Sequence, residues 1–126
     1  MGNHPPSLLE HTMKSALFEE AQALQGQTVA LRRDIHRHPE LGLNLPRTRA
    51  TVLEALSDLD LDITLSKETS GIVATLHGAR SGPSVLLRGD MDALPIQEQT
   101  GLDFSSTEEG CMHACGHDAH TAMLAS

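Results

Sequence analysis

The chemistry of this chain is concentrated in Gly110-Cys111-Met112-His113-Ala114-Cys115-Gly116-His117-Asp118-Ala119-His120. Five of these eleven residues are Cys or His, and both cysteines of the protein fall among them. Thiolate and imidazole are the side chains that hold zinc and the softer transition metals. If the run is extended, alternation puts His113, Cys115 and His117 on one side. If a helix begins near Asp118, His117 and His120 lie three apart on one helical face. His117 belongs to both sets, so a loop turning into a helix here would converge several ligands on one place. A Cys111–Cys115 disulfide is the bland alternative, but the chain has no secretory signal to suggest an oxidising compartment. A closed structural zinc site is the stronger rival. Such sites join two ligand pairs across a folded loop, whereas here all the candidates lie within ten residues and there is no second cluster. The pattern fits part of an open, catalytic site better.

The bulk properties narrow the possible partners. The 126 residues carry a formal charge of −8 and include two Phe, no Tyr and no Trp. A polyanion would be repelled, and an aromatic platform for stacking bases is missing, so nucleic acid is not an expected partner. No apolar run is long enough to span a bilayer. Without a basic segment leading into an apolar one, the expected compartment is the cytoplasm.

The elements that must position the Cys/His run can be read in order. Residues 1–14, with Pro5-Pro6 and no period, read as a flexible leader, and residues 15–126 as one α/β unit. Leu17, Ala21, Leu24, Thr28, Leu31 and Ile35 mark one buried stripe of a helix that Pro39 ends. His36 and His38, with Arg32, Arg33 and Arg37, crowd its last turn, where positive charge suits the helix dipole. Asn44 is the expected cap of a second helix, with Pro46 in its first turn and Val52, Leu53, Leu56 and Leu59 on its apolar face. Leu61–Ser66 alternates as a half-buried strand, and Ile72–Leu76 forms another.

Ser84-Val85-Leu86-Leu87 is a continuous apolar run, the pattern of a central strand covered on both faces. It runs directly into Arg88-Gly89-Asp90-Met91-Asp92-Ala93-Leu94-Pro95. Acids immediately after a buried strand occupy the place where open α/β sheets put their chemistry. The polar stretch 97–109 reads as a loop over the site, and Ala119–Leu124 as the opening of a helix.

Three segments in this order carry a family resemblance: Leu31-Arg32-Arg33-Asp34-Ile35-His36-Arg37-His38-Pro39-Glu40-Leu41-Gly42, Arg88 to Pro95, and Met112 to His120. From about Ala16 onward the chain resembles the N-terminal part of the metal-dependent amidohydrolases. That family includes hippurate hydrolase, N-acyl-amino-acid amidohydrolases and the auxin-conjugate hydrolases, and is related to aminoacylases and zinc carboxypeptidases. The resemblance implies the N-terminal portion of a mixed-sheet α/β metallopeptidase-like catalytic domain, with two helices and then strands. It implies two divalent metal ions, of Zn, Mn, Co or Ni, and hydrolysis of the amide of a small N-acyl amino acid or amino-acid conjugate. It further implies homodimerisation through an inserted domain.

On that pattern Cys115 and His117 are metal ligands, and Asp92 orients a ligand from behind. Asp118 is expected to start the helix and hold His117, while His113 and His120 support the site. Asp90 replaces the His of a related His-x-Asp motif, so it is placed only among the supporting residues. Two metals roughly 3.5–4 Å apart can share a water, lower its pKa toward about 7 and polarise the carbonyl. The family pattern continues with a Glu-Glu pair, further His ligands, the dimerisation domain and a C-terminal half, none of which this sequence contains. The expectation is therefore that these 126 residues are inactive alone. A small non-catalytic metal-binding module and an interaction fragment are the alternatives.

Overall fold

The computed structural model describes residues 8–126. In chain order it contains helix α1 (Leu8–Arg37), helix α2 (Pro46–Ala55), strand β1 (Asp62–Leu65), strand β2 (Ile72–Thr75) and helix α3 (His117–Ala125). The sequence from Leu8 to Gln25 contains no proline or glycine, and the helix starts at Leu8. Helix α1 thus takes in residues 8–14 of the stretch expected as a leader, and residues 1–7 lie outside the described residues.

The stripe on α1 is buried only at its C-terminal end. Ile35 is 2% exposed, whereas Leu17 is 62% and Leu24 40% exposed. An amphipathic stripe specifies which face can be covered; what covers it must come from other chain. Among residues 15–37 of α1, exposure falls only from Thr28 onward. The loop 97–110 caps this end, since Thr107 donates to the Arg37 carbonyl from its backbone N at 2.8 Å and from Oγ1 at 2.9 Å. Arg37 in turn reaches the Asp103 carbonyl at 3.1 Å.

Helix α2 does begin at Pro46, but Asn44 does not cap it. Leu45 occupies the cap position and makes no side-chain cap bond. The carboxylate of Glu40 replaces it: Oε2 accepts from Thr48 N at 2.7 Å and Thr48 Oγ1 at 2.8 Å, and Oε1 from Arg47 N at 3.2 Å. Orphan amides of the first turn are thus satisfied by a residue from the preceding loop. Thr48 and Val52 are the buried residues of α2.

Strands β1 and β2 form an antiparallel hairpin with Asp62 opposite Thr75 and Leu65 opposite Ile72. The turn between them docks on the chain ahead of α2, where Ser70 Oγ accepts from Leu45 N at 2.6 Å and Ser70 N donates to the Leu43 carbonyl at 2.8 Å. Both strands were expected, yet the half-buried alternation read for β1 is not realised, since all four of its residues are exposed. The central strand expected at Ser84–Leu87 does not form. Val85 and Leu86 are 84% and 88% exposed, since a strand covered on both sides needs neighbours that these residues do not supply.

Two single-residue bridges join the three familiar segments. Leu41 pairs in parallel with Ala93, and Leu94 pairs antiparallel with Met112. Ala93 N donates to the Glu40 carbonyl at 2.8 Å, and Leu94 and Met112 exchange bonds of 2.9 and 3.0 Å. Segments far apart in the chain thus meet side by side, with Asp92 directly before the junction. Gly89 fits this layout because a Cβ there would come within 3.3 Å of both the His120 carbonyl and Leu124 Cδ2 on α3. No helix among the described residues is long and apolar enough to cross a membrane.

Replacing Glu40 should test the cap. Glu40→Ala is expected to lower stability by about 1–2 kcal/mol, read as an earlier urea midpoint by circular dichroism. Glu40→Gln keeps an acceptor oxygen and should lose less.

Candidate metal centre

His117 is the first residue of α3, and the residue before it, Gly116, has φ +89. That left-handed conformation costs a glycine little and turns the chain sharply into the helix. It also ends the extended path that would have aligned His113, Cys115 and His117. The three are in different surroundings: His113 is buried, Cys115 is exposed and His117 lies between these extremes.

His117 Nδ1 lies 2.9 Å from the Asp92 carbonyl oxygen and 3.0 Å from Asp92 Oδ1. Both are acceptors, so the hydrogen belongs on Nδ1 and the lone pair on Nε2. A carboxylate and a carbonyl that hold one imidazole nitrogen are the arrangement that presents the other to a metal. The donor chemistry therefore fits a divalent ion at His117, with the exposed thiol of Cys115 two residues away in sequence. Among the described residues, however, no group of three or more His, Cys, Asp or Glu is arranged to hold a metal ion. His120 is exposed, its ring stacked at a tilt on His117 with centroids 5.7 Å apart. Asp90 pairs with Arg88, and its carbonyl accepts from Thr121 Oγ1 at 2.9 Å.

Asp118 takes a different role from the one expected. It opens α3 as an acidic first-turn residue, but its carboxylate does not hold His117. The side chain is fully buried, and Oδ2 accepts from Arg32 Nε at 2.9 Å and His36 Nδ1 at 2.8 Å. On its other side, His36 Nε2 lies 3.2 Å from Glu98 Oε1, so each ring nitrogen of His36 faces a carboxylate. Glu98 Oε2 also accepts from Ser106 N at 2.6 Å. Phe104 meets His36 edge-on with centroids 5.4 Å apart.

Burial pushes the Asp118 carboxyl upward, but the hydrogen bonds from His36 and Arg32 outweigh it and hold it below the usual carboxylate value. Glu98 is likewise raised by burial and brought below its ordinary value by bonds from Ser106, Thr100 and His36. His113, 4% exposed, has no partner for either ring nitrogen among the described residues, and burial lowers it and favours its neutral form. Cys111 is buried with Sγ 3.6 Å from the Pro39 carbonyl, and burial pushes its thiol up, so it acts as packing. Both cysteines are free, and the disulfide is not formed.

Sequence reasoning assigned Arg32 and His36 to the helix dipole and did not single out Glu98. The available signal was their i, i+4 spacing, which places both on one face of α1 beside the buried Ile35. Nothing in sequence marked Glu98 as their partner. The loop 97–109, expected over the site, packs on the end of α1, and its Glu98 meets His36.

Residues 86–126 match the model of peptidase family M20/M25/M40. The chain is 42% identical over 101 residues to the N-acetyl-L-cysteine deacetylase of Bacillus subtilis, covering 80% of this chain and 24% of that protein. It is 46% identical over 97 residues to the N-acyl-L-amino acid amidohydrolase of Geobacillus stearothermophilus, covering 76% of this chain and 26% of that protein. A crystal structure of a Bacillus subtilis dinuclear metal binding peptidase from the M20 family superposes with a TM-score of 0.76 at 39% identity, over 82% of this chain and 29% of that one. The chain spans about a quarter of the length of the curated relatives it matches.

The two depressed carboxyls predict acid sensitivity. Unfolded, these groups titrate near pH 4; folded, they titrate lower. Their stabilisation is thus complete above about pH 5 and is lost as pH falls through the folded values. Urea unfolding between pH 7 and pH 3 should show stability falling below about pH 5. Asp118→Asn should lower stability at pH 7 and flatten that decline.

Proposed function

Because this chain belongs to the M20 peptidases, as the N-terminal portion of their domain, we propose that the full-length protein hydrolyses the amide bond of N-acyl amino acids at a two-metal centre. The observation that carries this reading is the Asp92–His117 pair. Asp92 fixes the hydrogen on Nδ1 of His117, leaving Nε2 as a ligand, with the free thiol of Cys115 two residues before it in sequence. Relatives named for N-acetylcysteine and N-acyl amino acids support the substrate class.

In this reading Cys115 and His117 hold metal, and Asp92 orients His117 and raises its basicity as a ligand. A thiolate in the set suits zinc, and manganese, cobalt or nickel are compatible with the imidazole. Divalent metal, when bound, supplies Lewis-acid polarisation of the amide carbonyl and a nucleophile available at neutral pH. The chain's own residues contribute the placement of the two ligands and the proton held at His117 Nδ1.

The rest of the centre lies outside these 126 residues. Two candidate ligands do not complete a site that activates water, and no carboxylate among the described residues is placed with them as a base. The chain by itself is accordingly inactive, and the exposed run Val85–Leu87 becomes a strand only where the remainder of the domain supplies its neighbours. The homodimer and the cytoplasmic location belong to the same proposal.

Purified full-length protein should release free amino acid from N-acetyl and N-benzoyl amino acids after loading with zinc or manganese, and chelation should abolish the activity. Cys115→Ser and His117→Ala should each reduce kcat/KM at least about 100-fold, with protein-bound metal measured in parallel. Turnover by the 126-residue chain, or activity that survives chelation and both substitutions, would overturn the reading.

A further inference from the structure

His117 and Asp118 are successive residues in the first turn of α3, so their side chains leave the helix about 100° apart. Each is held by a different part of the chain. His117 is held by Asp92, whose backbone is set by the Glu40–Ala93 and Leu94–Met112 bonds. Asp118 is held by Arg32 and His36 on α1. Two anchors in different directions on adjacent residues restrain the rotation of the first turn of the helix more tightly than either alone, in addition to the Thr121–Asp90 bond one turn further on.

We propose that His36 is a positioning residue for the metal centre: by holding Asp118 on α1 while Asp92 holds His117, it restrains the rotation of α3 and thereby aims His117 Nε2. The role of His117 as a ligand rests on the function proposed above; the coupling between His36 and His117 does not. Three features favour His36 over Arg32 as the principal anchor. His36 is 3% exposed, while the Arg32 side chain is 40% exposed, and an exposed partner holds a charge less firmly. His36 also bridges two carboxylates, tying Asp118 to Glu98 and so to the loop that caps α1. Its ring is packed edge-on against Phe104, which limits its own reorientation. Without His36, the buried carboxylate of Asp118 retains Arg32 as its one side-chain partner among the described residues, and Oδ1, which already lacks a partner there, gains none. A buried charge left in this way drives the chain to move it toward solvent, and turning α3 would do so.

The test uses the full-length protein. In metal-free protein labelled with 15N-histidine, His117 should give imidazole shifts of a single tautomer with the hydrogen on Nδ1. His36→Ala should shift them toward a mixture of tautomers. His36→Gln, which keeps one donor, should give a smaller change in the same direction and serves if the alanine variant does not fold. Thr107→Val removes a different tie between the loop and α1 and should leave the His117 signals in place. After metal loading, His36→Ala should lower metal affinity or kcat about 10- to 100-fold with KM changed less than about 2-fold. Combining it with Asp92→Ala should cost less than the product of the two single effects, since both act through one ring. Unchanged His117 signals in a folded His36 variant, an equal change in Thr107→Val, or strictly multiplicative losses would overturn the proposal. Wild-type protein without hydrolytic activity would overturn the proposed function, while the metal-free spectra would still decide the coupling.

Discussion

A fully buried carboxylate has to be matched where it sits, and the match found by Asp118 organises much of this structure. Its Oδ2 takes bonds from Arg32 and His36, which fastens the start of α3 to the end of α1. His36 carries the connection on to Glu98, and Glu98 to Ser106. Removing two carboxylates from water is costly, and the cost is offset only when several donors converge on them. Here that convergence draws together residues more than eighty positions apart, and it fits a small core of little apolar bulk. Isolated from these polar bonds, Ile35, Val52, Ala93 and Ala122 would make a weak centre.

The candidate metal centre lies next to this network and uses the same physical device in a smaller form. Asp92 does to His117 what Asp118 does to His36: an acceptor fixes one ring nitrogen and so determines what the other can do. The difference is exposure. His36 is enclosed and has both nitrogens engaged, whereas His117 retains one nitrogen free and Cys115 stays at the surface. One histidine serves the fold and the other is left available for chemistry. The backbone junction of Glu40, Ala93, Leu94 and Met112 sets the distance between these two systems.

Large apolar side chains remain uncovered at Leu17, Phe18 and Leu24 of α1 and at Val85–Leu87. Patches of this kind on a folded unit normally mark contact surfaces, and relatives about three times as long have further chain with which to cover them.

The residues at issue in the centre were legible from sequence because they rest on chemical identity and short spacing. Cys115, His117 and the acids after the apolar run could be named from local pattern, as could the stop of α1 before Pro39, the proline opening α2 and the alternation of β1. The sequence also determined, through three ordered segments, what kind of protein this is. Other features were decided only by the tertiary structure. Glu40 caps α2 in place of Asn44, Asp118 turns to α1 instead of His117, and Arg32, His36 and Glu98 form one buried set. Each of these depends on which distant group comes within about 3 Å, a matter of how the elements pack. Periodicity shows which face of an element wants cover, and composition shows which side chains want partners. Neither contains the long-range geometry that decides which partner arrives.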